Sequence, residues 1–240
     1  MKRAPAGRTH PAAGALLERL SRQIVACRRC PRLVAWRERV AREKRRAYAE
    51  EAYWGRPVPS FGDPAARLLL VGLAPGAHGA NRTGRMFTGD GSGDFLHAAL
   101  HRAGLASHAV SRARDDGLRL RGCAITAACR CAPPGNRPLP AELEACSPFL
   151  DRELGLRTGV KVALCLGAIA WEAMLGSLGR RGIAIPRPRP RFAHGASLRL
   201  PGAPLLLASY HVSRQNTQTG RLTPAMFDAV LREAAAQAGL

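Results

Sequence analysis

The residues best suited to chemistry lie in one glycine-rich stretch that runs from Gly72 to Asp90. Its five glycines would let the backbone approach a ligand closely. Gly91 and Gly93 then lead into a predicted helix, whose N-terminus would attract an anion. The spacing fits neither the dinucleotide-binding fingerprint nor the P-loop pattern. A long structural or phosphate-binding turn is the alternative interpretation.

Two further polar segments, Cys129 to Asn136 and His211 to Asn216, also follow directly after predicted strands. In open parallel sheets, ligands bind beyond the carboxyl ends of the strands. We therefore expect the three segments to converge on one site at the same edge of the sheet.

The elements that must position these loops alternate between strand and helix. Continuous apolar runs predict buried parallel strands, at 67–72, 122–127, 160–167 and 205–211. Helical apolar spacing or composition predicts helices at 17–24, 34–53, 93–103, 140–154, 168–178 and 224–238. This order predicts the α/β class, as a three-layer α/β/α sandwich with a small central parallel four-stranded sheet.

Residues 12–240 are expected to form a single domain. Residues 1–11 resemble a disordered basic arm, and the Pro/Arg-rich stretch 180–192 is expected to be an extended, mobile insertion.

The cysteines form a separate pattern. Cys123 and Cys165 fall inside predicted strands, where buried thiols are ordinary. The rest lie at loop or helix-end positions, which suits a four-cysteine metal site, namely Cys27, Cys30, Cys129 or Cys131, and Cys146. Spacing alone leaves zinc and a 4Fe–4S cluster equally open, and unrelated buried cysteines are the third alternative.

The charge balance indicates a polyanionic partner. The chain has 37 Lys and Arg against 17 Asp and Glu, a net charge of +20. Nucleic acid is the commonest partner of so basic a protein, and a membrane surface or an acidic protein are the alternatives. A high-GC genome, which raises the arginine content without any partner, would also explain the charge. Neither a membrane-spanning run nor a signal peptide is recognisable, so we expect a cytoplasmic protein of the bacterial type that does not bind membranes.

Three segments carry a resemblance to a known family. The stretch Gly72 to Asp90 resembles the first motif of the uracil-DNA glycosylase superfamily, most closely its iron–sulfur type B branch, also called family five. The segment from Cys131 to Pro138 is similar to the middle motif, and His211 to Asn216 to the last. The resemblance implies that superfamily's fold, a monomer, and a 4Fe–4S cluster on Cys27, Cys30, Cys131 and Cys146, with Cys131 preferred to Cys129.

The implied activity is hydrolysis of the N-glycosidic bond of uracil in double-stranded DNA after the base has been flipped out. The resemblance extends this to other deaminated bases such as hypoxanthine. No Lys stands in the three loops, so a lyase step is not expected and the product is an abasic site. A non-enzymatic nucleic-acid-binding protein with a structural four-cysteine site is one alternative, and a metal-dependent phosphate-ester hydrolase is another.

Each catalytic role has a structural alternative. His211 is expected to hydrogen-bond the base carbonyl as charge develops, or else to be an ordinary loop histidine. Ala74 stands where most relatives carry an acid or Asn that orients water, so the carboxylate is expected from Asp90, with Asp94 as a weaker competitor. Asp90 could instead be a helix cap. Asn136 would hold the water or read the base, or simply form a turn.

The remaining site residues concern binding. Phe87 would stack on the flipped base or plug the core, and Ala74, Asn81 and His78 are further base-site candidates, with His78 also a phosphate candidate. Arg82 and Arg85 are expected to clamp phosphates, unless they are merely solvated. The resemblance implies that the last loop wedges into the duplex, through Ser213, Arg214, Gln215 and Asn216.

Overall fold

A computed structural model describes residues 11–240 of the chain. Ten of the eleven residues assigned to the basic arm lie outside the described residues. The eleventh, Pro11, is the first residue of the first helix.

The centre of the protein is a six-stranded sheet with the order β1-β3-β2-β4-β6-β5. Its strands are β1 (Phe61–Gly62), β2 (Leu68–Gly72), β3 (Cys123–Ala127), β4 (Val162–Leu166), β5 (Ser197–Leu198) and β6 (Leu205–Ser209). The four predicted strands, β2, β3, β4 and β6, are confirmed as parallel neighbours. The predicted parallel four-stranded sheet therefore forms the centre, and β1 and β5, which the sequence did not predict, extend it by one antiparallel strand at each edge. Two-residue strands are too short to show a sequence period.

Helices cover both faces of the sheet, so the predicted three layers are confirmed. They are α1 (Pro11–Val25), α2 (Pro31–Glu43), α3 (Ala80–Thr83), α4 (Gly91–Arg102), α5 (Pro140–Leu156), α6 (Ala168–Arg180), α7 (Arg214–Gln218) and α8 (Pro224–Ala238). On one face the core takes Leu96 of α4 and Phe227 of α8. On the other it takes Leu150 of α5 and Trp171 of α6.

The long helix predicted over 34–53 is wrong at its C-terminal end. Helix α2 stops at Glu43, where Lys44 turns into positive φ (54°), and a short 3₁₀ turn follows at Arg46–Tyr48. The Arg- and Glu-rich composition of this stretch favours helix by propensity. It gives no sign of the break.

The segment 180–192 is irregular, as expected, but it is packed against the protein. Ile183, Ile185 and Phe192 contact the second core, and Trp171 Nε1 donates to Pro190 O (3.0 Å). Its few apolar side chains therefore attach it to the sheet. No helix in the described part of the chain is long and apolar enough to cross a bilayer.

Candidate active site

A cleft of about 740 Å³ opens at the carboxyl ends of the central strands. It is lined by the loop after β2, the N-terminus of α4, the turn after β3, and the loop after β6 together with α7. The expected convergence of three polar loops is thus observed. Predicted site residues that line the cleft are Ala74, His78, Phe87, Asp90, Asn136, His211, Ser213, Arg214, Gln215 and Asn216.

Asp90 is both a helix cap and a carboxylate that lines the cleft, two roles that the sequence left as alternatives. As the N-cap of α4, its Oδ1 accepts from the backbone N–H of Ser92 (3.1 Å) and Gly93 (3.0 Å). Its other oxygen, Oδ2, accepts no hydrogen bond from the described residues. Burial raises the pKa of Asp90, although the two backbone N–H groups work against that shift. The cap fixes the carboxyl group and leaves one oxygen for a ligand or water.

The glycines of the first loop make room for the site's own side chains. A Cβ on Gly79 would lie 1.9 Å from Asp90 Oδ2, and one on Gly76 would lie 2.7 Å from it. A Cβ on Gly72 would lie 2.8 Å from the ring of Phe87. We expected these glycines to admit a ligand to the backbone. They instead admit the carboxylate and the ring that face the ligand.

Phe87 adopts a left-handed backbone conformation, with φ of 50°. Such a conformation is uncommon for a bulky residue and costs of order 1 kcal/mol. Gly93 makes room for this conformation, because a Cβ there would lie 2.2 Å from the Phe87 carbonyl oxygen. The ring packs on the core from one side and faces the cleft from the other. Phe87 therefore packs against the core and also lines the cleft.

His211 lies near Phe87 across the cleft, with ring centroids 6.2 Å apart. Burial lowers the pKa of His211 to about 4, so the ring is neutral at neutral pH. A neutral imidazole has one N–H donor and one acceptor. Asn216 Nδ2 donates to the His211 carbonyl (2.7 Å) and ties the last loop to α7. The His211 ring has no hydrogen-bond partner in residues 11–240 and remains available to a ligand.

His78 and Asn136 lie at the margin of the cleft. The Nδ1 atom of His78 is 3.1 Å from the Tyr53 hydroxyl. Burial lowers the pKa of His78, and the positive charges of Arg45 and Arg82 add to that effect. Asn136 is exposed and has positive φ (57°) after Gly135. The turn interpretation of Asn136 therefore holds, and its side chain remains free at the rim.

Arg82 and Arg85 do not face the cleft, which contradicts their predicted role as phosphate clamps. Arg82 donates to the carbonyls of His78 (2.8 Å) and Gly89 (2.8 Å) and pairs with Glu51. Arg85 is 3% exposed, and its guanidinium bonds Thr88, Ser111, the carbonyl of Arg114 and Asp116. Arg82 thus supplies donors to two buried carbonyls of the first loop, whereas Arg85 ties that loop to Ser111, Arg114 and Asp116.

Asn81 and Asp94 also lie away from the cleft. Asn81 is fully buried, with its Nδ2 donating to the carbonyl of Arg37 (3.2 Å). The expectation that Asn81 contacts the base is therefore wrong. Asp94 is exposed on α4 and does not line the cleft, which leaves Asp90 as the carboxylate of the site.

Three cleft residues with a charged or aromatic side chain were given no role by the sequence analysis: Arg45, Tyr48 and Arg137. Arg45 and Tyr48 come from the turn after α2, a region that the sequence analysis predicted as part of a longer helix. Had Arg45-Arg46 been placed in a loop, their charge would have suggested a phosphate contact. Arg137 is exposed beside Asn136 and offers a second cation at the rim.

A second, enclosed cavity is lined by the five cysteines outside the strands: Cys27, Cys30, Cys129, Cys131 and Cys146. Cys27 follows α1, Cys30 caps α2, and Cys146 lies on α5. The neighbouring Cys129 thiol and the charge of Arg130 lower the pKa of Cys146 below that of a free thiol. In the described residues, no three His, Cys, Asp or Glu side chains are arranged to hold a single metal ion.

Two buried arginines line the same cavity with unused donors. Arg37 donates from Nη1 to Cys131 Sγ (2.9 Å), and Arg130 pairs with Glu153 (2.6 Å). Glu153 also pairs with Arg157, so one carboxylate is shared by two cations. Arg37 Nε and Arg130 Nε and Nη1 are buried without a partner in the described chain. Buried cationic donors are costly unless an anion lies close.

Comparison with known proteins places the geometry in context. Residues 59–235 match the family model described as the uracil DNA glycosylase superfamily. The chain is 60% identical over 217 residues to a type-5 uracil-DNA glycosylase of Thermus thermophilus, covering 90% of this chain and 96% of that protein. Proteins with the same name from Mycobacterium tuberculosis and Pyrobaculum aerophilum are 54% and 48% identical. These alignments cover 95% and 90% of this chain, and 84% and 91% of the relatives.

Proposed function

The chain belongs to the uracil DNA glycosylase superfamily, and from that premise we propose that it hydrolyses the N-glycosidic bond of uracil in DNA. The observation that carries the proposal is the match of three quarters of the chain to the family, joined to a cleft that holds the motif residues Asp90 and His211. The products are free base and an abasic site. A monomer acting in the cytoplasm is part of the same proposal.

Asp90 acts on the sugar and the water. Breaking the glycosidic bond leaves positive charge at the sugar and negative charge on the base, and water then adds at the sugar carbon. The free Oδ2 of Asp90 stabilises that cation, accepts a hydrogen bond from the water and takes up its proton as the carbon–oxygen bond forms. Asp90 then returns this proton to solvent, and the departing base anion is protonated from solvent. The rigid N-cap supports this role because a preorganised charge need not reorient during the reaction.

Phe87 and His211 act on the flipped base. The ring of Phe87 stacks on the base, while the neutral His211 donates its N–H to a carbonyl oxygen that gains charge as the bond breaks. The lowered pKa of His211 supports a neutral donor. Ala74 gives the pocket a small wall where other members place a polar side chain, which favours wider tolerance, including hypoxanthine.

The surface beside the pocket binds the duplex. Arg45, Arg137 and Arg214 are exposed at the cleft and replace the buried Arg82 and Arg85 as the proposed phosphate contacts. Ser213, Gln215 and Asn216 surround the start of α7 and are proposed to fill the vacated stack. Asn136 and His78 contribute at the margin.

A substrate panel tests this function. Duplexes and single strands with one uracil, hypoxanthine or modified uracil, opposite several bases, are incubated with the protein and the released base is identified. We expect release of uracil from the duplex and slower release of hypoxanthine. Tight binding with no release from any substrate would favour the non-enzymatic alternative and contradict the proposal.

The five-cysteine cavity fits a 4Fe–4S cluster. Four thiolates from Cys27, Cys30, Cys131 and Cys146 suit such a cluster, and its negative charge would use the orphaned donors of Arg37 and Arg130. A zinc ion, which needs four sulfurs about 2.3 Å from one point, is the alternative that the iron measurement below distinguishes. When bound, the cluster would tie the α1–α2 junction, the loop after β3 and α5 into one rigid support for the cleft.

Cys131 and Cys129 are distinguished by serine substitution. Arg37 donates to Cys131 Sγ, while Cys129 Sγ points to the Cys131 carbonyl (3.5 Å). We therefore expect Cys131→Ser to lose most of its iron and brown colour and Cys129→Ser to keep both, as measured by iron content and visible absorbance. The opposite result would make Cys129 the ligand, and a colourless zinc protein would contradict the cluster.

The pH dependence follows from Asp90. A raised pKa means that the carboxyl group takes up its proton at a higher pH than a free aspartate, which titrates near 3.8. Because the ionised form is the active one, kcat should fall as pH drops, beginning above pH 3.8. Single-turnover rates across acid pH check this. Because the pKa of His211, about 4, lies in the same acid range, the limb should persist in His211→Gln, and its disappearance in that variant would instead assign the titration to the histidine.

A further inference from the structure

A second concave surface lies next to the cleft and has no role in the reaction. This arginine groove lies between the end of α1, helix α2 and the segment 54–59. It is lined by six arginines and one acidic side chain, Arg22, Arg28, Arg37, Arg42, Arg56, Arg114 and Glu38. Glu38 is already paired with Arg28. The groove therefore carries a large uncompensated positive charge.

Three arginines of the groove are exposed and form no ion pair with a carboxylate of the described residues. Arg22, Arg42 and Arg56 have no ion-pair partner anywhere in residues 11–240. Trp54 forms one wall, with the guanidinium of Arg114 over its ring at 4.6 Å and that of Arg56 at 5.9 Å. Stacking on an aromatic ring orders these long side chains before any ligand arrives, which lowers the entropic cost of binding an anion.

The groove and the cleft share one wall. Ala41 of α2 touches Gly55, where a Cβ would lie 2.8 Å from that of Ala41. Four residues further on, the backbone N–H of Arg45 lies 3.4 Å from the Tyr53 hydroxyl, which in turn meets His78 in the cleft. Arg42 therefore faces the groove and Arg45 the cleft from the two sides of the same short segment.

We propose that this groove binds the phosphate backbone of the DNA flanking the damaged nucleotide, as an extension of the cleft. A duplex crossing the shared wall would pass from Arg45 to Arg42 and then to Arg22 and Arg56. Guanidinium groups match phosphate geometry well, and each neutralised phosphate releases counterions. The inference rests on the proposed function, since it takes DNA as the substrate.

The test compares two substrate lengths in one triple variant. Arg22→Gln, Arg42→Gln and Arg56→Gln are combined, and uracil release under subsaturating conditions is measured on duplexes of about one and about three helical turns, ~10 and ~30 base pairs. We expect the variant to lose about tenfold or more in kcat/KM on the long duplex and little on the short one. The slope of log affinity against log salt on the long duplex should fall by roughly 2 to 3, because each phosphate contact contributes about 0.9.

A charge-matched control separates the groove from bulk electrostatics. Arg119→Gln, Arg152→Gln and Arg232→Gln remove the same charge from exposed positions outside both the groove and the cleft. Equal losses in the two variants, or a loss in the groove variant that is independent of duplex length, would overturn the proposal. Absence of uracil release by the parent protein on every substrate would instead overturn the proposed function.

Discussion

Replacing Asp90 by Asn should slow uracil release by about 10²–10⁴-fold, the usual contribution of a positioned acid–base group. Asn is as good an N-cap as Asp, so the Oδ1 bonds to Ser92 and Gly93 are expected to persist. The substitution therefore keeps the cap, removes the charge of the free oxygen and replaces that acceptor by an N–H donor. The expected signature is a large loss in single-turnover rate with thermal stability and DNA binding close to those of the parent.

Asp94 provides the matched control for this experiment. Asp94→Asn makes the same chemical change one turn further along α4, on an exposed side chain outside the cleft. It should leave the rate within about twofold, since surface substitutions away from special features have small effects. If Asp90→Asn is as fast as Asp94→Asn, the assignment of water and cation to Asp90 is wrong.

Replacing His211 by Ala should cost about 10²–10³-fold in kcat, the range seen when one donor to a developing anion is removed. The effect should fall on the chemical step, because a hydrogen bond that strengthens with the charge of the leaving base contributes little to ground-state binding. The loss should be greatest for bases that leave with the most negative charge on the carbonyl oxygen. Single-turnover rates and the affinity for uracil-containing duplex separate the two quantities.

His101→Ala serves as the control because His101 is exposed at the far end of α4. A His211→Ala protein with an unchanged kcat and a raised KM would show that the ring only binds the base. A protein that loses thermal stability in step with its rate would show a structural role, as its position against Phe87 and Gly167 would allow.

The parts of the fold that could be predicted are those with a strong hydrophobic signal. Strands β2, β3, β4 and β6 are buried on both faces and therefore appear as continuous apolar runs. The edge strands β1 and β5 have two residues each and carry no such signal. The end of α2 was missed because Lys44 leaves the helix at a position where neither Gly nor Pro marks the break.

The candidate site divides in the same way. Asp90 and His211 were predictable because Asp90 ends a recognisable motif and His211 lies just beyond a strand, and strand ends determine where loops meet. The positions of the Arg82 and Arg85 side chains could not be predicted, because an arginine on a loop can contact phosphate or donate hydrogen bonds to buried carbonyls equally well. Which one it does depends on the packing of Glu51, Ser111 and Asp116, residues far away in sequence.

The proposed glycosylase activity is tested most directly by identifying what the protein releases from a uracil-containing duplex in the presence of a divalent-metal chelator. We expect free uracil, with strand breaks appearing only after the abasic sites are cleaved by alkali, and we expect Asp90→Asn to abolish most of the release. Strand cleavage without free uracil, or activity that requires an added divalent metal, would point to phosphate-ester chemistry and contradict it.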